Sequence, residues 1–341
     1  MDYSYNSLDN SSHVVFLVRR SNVTLRPGTD SQYWLLSIFV PEAVAIVAGN
    51  ILVLMAFLGS PILRKRKNFL LVNLAVADGL VGMVSMVIFL TINFAGSRSF
   101  SSFMLVYNLF TGQDVLFGSA SIFALTSVAL ERMYATMYPL KHRVLSRRAY
   151  FACIAAVWSQ ALLLSLFAVF TSMELFMAFM LPSILLSLFT VSVCYSLIWY
   201  RIVQAGSIKG QNRQTDVTQV VSRERDRRLT VTLVIITVLS LITWLPFQLL
   251  NILLGAGCQC PVSHVVLWVT KFLQYGNSIV NPVVYALRMA GFRKVLRKQF
   301  AWAAAKNDMQ VQSPTRREDR TSTTAVPRGS RKESVTQEHA L

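Results

Sequence analysis

Asp78, Asp114, Glu131, Arg132 and Lys271 are charged side chains set within long apolar runs. With them stand the amides Asn50, Asn277 and Asn281 and the hydroxyls Ser121 and Ser278. Ionisable groups at membrane depth are costly to desolvate, so they turn toward a bundle interior and mark functional positions. The chemistry open to such a set is ion pairing, hydrogen bonding and ion binding. Covalent catalysis fits poorly. His13, His142, His264 and His339 lie outside the apolar interiors or at their edges, and no paired-aspartate, serine–histidine or zinc-ligand pattern is present. No enzymatic activity is therefore expected. Internal repeats and paired interrupted helices, the usual marks of a transporter, are also lacking.

Seven apolar stretches must position these groups, beginning near Tyr33, Asn68, Phe103, Tyr150, Glu174, Arg227 and Val262. Each reaches the roughly 20 residues that a helix needs to cross a hydrocarbon core. Of the residues, 54% are hydrophobic and only 14% charged. The expected fold is an all-α membrane protein, a seven-transmembrane helix bundle, with no room for a separate soluble catalytic domain.

Cations fall in alternate gaps between the spans. Net charge is +4 in each of 59–68, 138–149 and 201–228, and +7 in 288–341, against +17 for the whole chain. Short cytoplasmic loops retain Lys and Arg, so these segments are expected in the cytoplasm and the N-terminus outside the cell. Asn10-Ser11-Ser12 and Asn22-Val23-Thr24 are glycosylation acceptor triplets on that outer side. The first span is expected to act as its own signal, because the apolar run before it is short and is followed by Arg19 and Arg20. The basic surplus flanks membrane spans, so anionic inner-leaflet lipid, and not nucleic acid, is its expected partner.

Gly49-Asn50 in span one, Leu74-Ala75-Val76-Ala77-Asp78 in span two, Glu131-Arg132-Met133 closing span three, Trp158 in span four, Trp244-Leu245-Pro246-Phe247 in span six and Asn281-Pro282-Val283-Val284-Tyr285 closing span seven occur in this order. With them the chain resembles a class A, rhodopsin-like G-protein-coupled receptor across all seven spans and the short helix that follows. The resemblance implies an extracellular segment at 1–32, a seven-transmembrane domain at 33–290, an amphipathic membrane-surface helix at 291–303 and a disordered cytoplasmic tail at 304–341. It also implies residence in the plasma membrane, a small extracellular ligand and activation of heterotrimeric G proteins.

Site residues follow from the same resemblance. Asp78, Ser121, Asn277, Ser278 and Asn281 match the family's sodium pocket, whose oxygens suit a hard cation; a water-filled polar cluster is the alternative, and no other cofactor is expected. Arg132 would pair with Glu131 and, across the bundle, with Asp226, and release of that pair would be a two-state switch. Pro246 and Pro282 would bend spans six and seven, and Tyr285 and Tyr195 would move into the space that Arg132 vacates. Leu140 would dock on the G-protein α subunit. In the tail, Ser313, Thr321, Ser322, Thr323 and Thr324 could take phosphate from a receptor kinase and be read by arrestin.

Asp114 precedes Arg132 by about five helical turns, near the outer mouth, where amine receptors hold a ligand ammonium. Tyr275 matches the tyrosine that bonds that aspartate, and Phe247 would supply an aromatic wall. Val115, Gly118, Trp244 and Gln248 complete the ligand pocket, for which a biogenic amine is the first expectation. Lys271, one turn outward of Tyr275, could instead neutralise Asp114 and favour anionic or zwitterionic ligands. A lipid or peptide ligand is the alternative. A retinal photoreceptor fits less well, because the family's retinal lysine occupies the position of Tyr275.

The chain also departs from the family pattern. Tyr107 stands where most members have a bridging cysteine, as in melanocortin, sphingolipid and cannabinoid receptors. Cys258 and Cys260 are too close in sequence to replace that bridge without strain. Tyr195 lies 13 residues beyond Pro182 where the family spacing is eight, and Ser240 replaces a phenylalanine beside Ile122.

Overall fold

The computed structural model describes residues 29–60, 66–95, 100–207, 231, 235, 238–253, 262–289, 291–299 and 301. The chain divides into two units, Met1–Leu296 and Arg297–Leu341. In the second, the described residues 297–299 and 301 are helical.

In the first unit α1 runs Thr29–Gly59. Span two is built in three pieces: α2, Phe69–Leu80, a wider π-type turn, Val81–Ser85, and α3, Met86–Ala95. α4, Phe100–Met137, is followed by the short α5, Pro139–Arg143. Next come α6, Arg147–Phe170, and α7, Met173–Ser207. α8 covers Val238–Leu253 and α9 His264–Arg288. Residues 291–296 are helical and close the unit. Among the described residues three starts carry serine caps: Ser146 Oγ accepts from the Ala149 amide and Ser263 Oγ from the Val266 amide, each at 3.3 Å, and Ser172 Oγ from the Leu175 amide at 3.4 Å.

Five of the seven expected spans are helices long and apolar enough to cross a bilayer among the described residues. The sixth is described over the shorter apolar helix α8. The seventh, α9, is long enough but two-faced. Lys271, Gln274, Asn277 and Asn281 are buried while Val265, Val269, Phe272 and Val283 are exposed. That distribution suits a helix with lipid on one side and a polar interior on the other.

The same inversion holds across the unit. Ile51, Met55, Leu186 and Phe189 are exposed, whereas Asp78 is 0% and Asn50 1% exposed. α4 is central and packs against α2, α6 and α7, while α1 packs against α2 and α9. Small residues permit the closest approaches, as expected where lipid supplies no hydrophobic drive between helices. A Cβ added at Gly82 would lie 2.8 Å from Ile46 Cγ2, and one at Gly49 3.0 Å from Pro282 Cβ. Polar ties fix the register. Trp158 Nε1 donates to Asn73 Oδ1 at 2.9 Å between α6 and α2, and Ser165 Oγ donates to the Gly112 carbonyl at 2.7 Å between α6 and α4.

Candidate functional site

Among the described residues, three polar clusters of the expected site residues lie along the bundle interior. The first joins α4 to α9: Lys271 Nζ sits 2.7 Å from Asp114 Oδ2, and the Tyr275 hydroxyl donates to Asp114 Oδ1 at 3.0 Å. Lys271 and Tyr275 are four residues apart on α9, so both reach the same carboxylate from one helix face. The Lys271 ammonium also lies over the Phe247 ring at 4.1 Å, with the Tyr275 and Phe110 rings at 5.1 and 5.8 Å. A cation on Asp114 is thus held by a carboxylate and by aromatic faces. The expected alternative to a vacant amine site, an internal ion pair, is the arrangement present.

Above this cluster a cavity encloses about 1240 Å³ of empty space, its open mouth included. Its walls are mostly apolar, among them Phe89, Phe110, Phe176, Met180 and Trp244; Asp114 and Lys271 are its charged residues, and Gln248, Gln274, Asn93, Thr111, Ser119 and Asn251 its uncharged polar ones. Val115 and Phe247 line it as expected. Gly118 and Tyr275 instead line a smaller void of about 240 Å³ below, together with Ser121, Asn277 and Ser278. Trp244 borders both spaces. A mostly apolar cavity with few convergent polar groups is the usual form of a small-molecule site.

The second cluster centres on Asp78. Ser121 Oγ donates to Oδ1 at 2.6 Å and Asn281 Nδ2 to Oδ2 at 2.7 Å. Ser278 is a further hydrogen-bond partner of this carboxylate. Asn50 Nδ2 donates to the Ile46 and Ser278 carbonyls at 2.9 and 3.1 Å. Asn277 lines the void beside Ser121 and Ser278, and its Oδ1 lies 3.5 Å from Thr243 Oγ1 of α8. The buried Oδ1 atoms of Asn50 and Asn281 have no hydrogen-bond donor. Carboxylate and amide oxygens are the kind of ligand that a hard cation takes.

The third cluster lies at the other end of α4. Arg132 Nε pairs with Glu131 Oε2 at 3.0 Å, while His142 Nε2 bonds Glu131 Oε1 at 2.7 Å. The Tyr150 hydroxyl lies 3.4 Å from that same oxygen and 3.3 Å from His142 Nε2. Asp226, the expected second partner of Arg132, lies outside the described residues, as do Asn10, Asn22, Cys258 and Cys260. Tyr195 and Tyr285 are both buried in one core cluster, although Tyr195 departs from the usual spacing after Pro182. Pro182 and Pro282 lie inside α7 and α9, and Pro246 inside α8. Ser240 is buried in α8, and Leu140, on α5, is 77% exposed.

The sequence model of the 7 transmembrane receptors of the rhodopsin family matches residues 49–178 and 169–285, so it takes in all three clusters. The chain belongs to this family. It is a multi-pass membrane receptor built on a seven-helix bundle, and the family is one of receptors and not of enzymes. It is similar to the octopamine receptor beta-1R of Drosophila melanogaster, 25% identical over 76% of this chain and 61% of that protein. The octopamine receptor beta-2R of the same fly is 23% identical over 79% of the chain and 61% of the relative. A GQ-coupled rhodopsin of Mizuhopecten yessoensis is 24% identical over 81% and 61%. The receptor thus spans about three fifths of the length of these relatives.

Several site residues were not anticipated from the sequence. Glu42 of α1 is 7% exposed, and neither carboxylate oxygen has a hydrogen-bond partner. Its signal was an acidic residue inside the first apolar run. His142 and Tyr150 as partners of Glu131 had no signal, because a loop and the start of α6 must fold back on α4 to bring them there. Thr243 and Gln274 had only their position on buried helix faces.

Proposed function

We propose that this receptor binds a small extracellular ligand carrying a protonated nitrogen and answers by opening the Arg132 end of the bundle to a heterotrimeric G protein. The observation that carries the ligand reading is the ammonium already seated on Asp114 between aromatic rings. The site is built for that group, and the tethered Lys271 occupies it. Similarity to two octopamine receptors supports a biogenic amine. Lys271 is the competitor such a ligand displaces.

Ligand entry breaks the Asp114–Lys271 contact and presses on Trp244, which with Asp114 and Gln274 borders both the cavity and the deeper void. Motion of α8 about Pro246 then carries its far end outward and releases Arg132 from its partners, so ligand binding shifts a pre-existing equilibrium and makes no covalent bond. The exposed Leu140 docks on the G-protein α subunit. Sodium held by Asp78, Ser121, Ser278 and Asn281 stabilises the closed arrangement. The receptor resides in the plasma membrane with its N-terminus outside, glycosylated at Asn10 and Asn22, and its tail meets receptor kinase and arrestin inside.

Asp114→Asn tests the ligand reading. It should abolish responses to monoamines in a cellular signalling assay while surface expression persists, and unchanged potency would remove the reading.

A further inference from the structure

The charge balance of the cavity says more about the ligand than that it carries an ammonium. Both oxygens of Asp114 already have a donor, Lys271 on one and Tyr275 on the other. Lys271 is 6% exposed. A ligand bearing only a positive charge must push this ammonium off the carboxylate and leave it buried without a counter-ion, which is strongly unfavourable. A ligand bearing only a negative charge leaves Asp114 in the same position. A neutral ligand leaves the pair closed and gains nothing from either charge.

We infer that the ligand is a zwitterion, with a primary ammonium taken by Asp114 and an acidic group taken by Lys271. Such a molecule exchanges one internal pair for two intermolecular ones, and no buried charge is left alone. This rests on the ammonium reading above and refines it. The carbonyl oxygens of Gln248 and Gln274 carry it further. Both side chains line the cavity, both residues are 7% exposed, and neither oxygen has a donor. They are acceptors for the N–H groups of a primary ammonium, which a quaternary nitrogen could not offer. Most of the remaining wall is apolar or aromatic, with Asn93, Thr111, Ser119 and Asn251 interspersed, and it accommodates a largely apolar body, so aromatic or large aliphatic α-amino acids, or their phosphonate counterparts, are the chemical class.

The experiment uses the purified full-length receptor in lipid nanodiscs and reads the ligand-induced rise in melting temperature across a concentration series. Two scaffolds are compared, one aromatic and one aliphatic, each as amine, carboxylic acid and amino acid: tyramine, 3-(4-hydroxyphenyl)propionate and tyrosine; isoamylamine, 4-methylpentanoate and leucine. In at least one scaffold the amino acid should bind the unaltered receptor at least tenfold more tightly than the amine or the acid. Lys271→Met, and as a second variant Lys271→Gln, should reverse that order in favour of the amine by at least tenfold.

Equal or better binding of the amine by the unaltered receptor overturns the zwitterion while leaving the ammonium reading in place. An amine-to-amino-acid ratio unchanged in a folded Lys271 variant does the same. Silence of all six compounds with both the receptor and its variants, or undiminished binding by Asp114→Asn, overturns the ammonium reading and the zwitterion with it.

Discussion

His142 and Arg132 hold opposite oxygens of the Glu131 carboxylate, at 2.7 and 3.0 Å, so Arg132 shares its partner with the loop after span three. Tyr150 reaches the same oxygen as His142 from the start of α6. The loop helix that carries Leu140 is therefore tied through His142 to the carboxylate that pairs with Arg132, and under the proposed switch its placement would be coupled to the release of Arg132.

Removing the histidine tests that coupling. His142→Ala leaves Glu131 with Arg132 and Tyr150 and should destabilise the closed receptor by about 1 kcal/mol, the net value of one hydrogen bond. The melting temperature should fall with ligand affinity nearly unchanged, and G-protein coupling should weaken because α5 is no longer held. An unaltered melting temperature and unaltered coupling would show the contact to be idle.

The Asp114–Lys271 pair predicts strong non-additivity. Asp114→Asn or Lys271→Met alone leaves one buried charge uncompensated, a loss of about 3–5 kcal/mol for a buried pair. The double variant leaves none and should be more stable than either single variant. Thermal unfolding of the four proteins gives the coupling directly, and additive losses would mean that the two side chains do not share one environment.

Sodium dependence follows from the oxygens around Asp78. Agonist affinity should fall as sodium replaces choline in the buffer, and Asp78→Asn should abolish that dependence. Radioligand competition at matched ionic strength separates the two outcomes. A salt effect retained in the variant would mean that Asp78 holds water and not an ion.

Gly82 sits in the π-type turn of span two against Ile46 and Val47 of α1, where an added Cβ would meet Ile46 Cγ2 at 2.8 Å. Gly82→Ala should cost about 1–3 kcal/mol, the range for overpacking a well-filled interior. Gly79→Ala nearby, whose nearest contact would be Asn50 Cβ at 3.7 Å, should be tolerated. Equal melting temperatures for the two variants would contradict the packing described.

The spans were legible because a bilayer imposes both length and apolarity; helix periodicity puts residues 271 and 275 on one face of α9, while their meeting with Asp114 of α4 was legible only through the family resemblance. Ser121, Ser278 and Asn281 hydrogen-bond Asp78, and Asn277 lines the void beside Ser121 and Ser278, while its 3.5 Å contact with Thr243 of the neighbouring α8 is one that no spacing on α9 encodes. The π-type turn at Val81–Ser85 was hidden for a related reason. It adds no unusual residue to span two, and the close approach of α1 at Gly82 within it becomes visible only in the packed bundle. Glu42 was visible as an acid in an apolar run, but only burial reveals that its oxygens lack partners.

Guanine-nucleotide exchange on a purified heterotrimer, with the full-length receptor in nanodiscs, bears most directly on the function proposed. The unaltered receptor should accelerate exchange in a ligand-dependent way, and Arg132→Ala should lose that acceleration while still binding ligand. Ligand-driven solute flux without exchange, or exchange undiminished in Arg132→Ala, would contradict it.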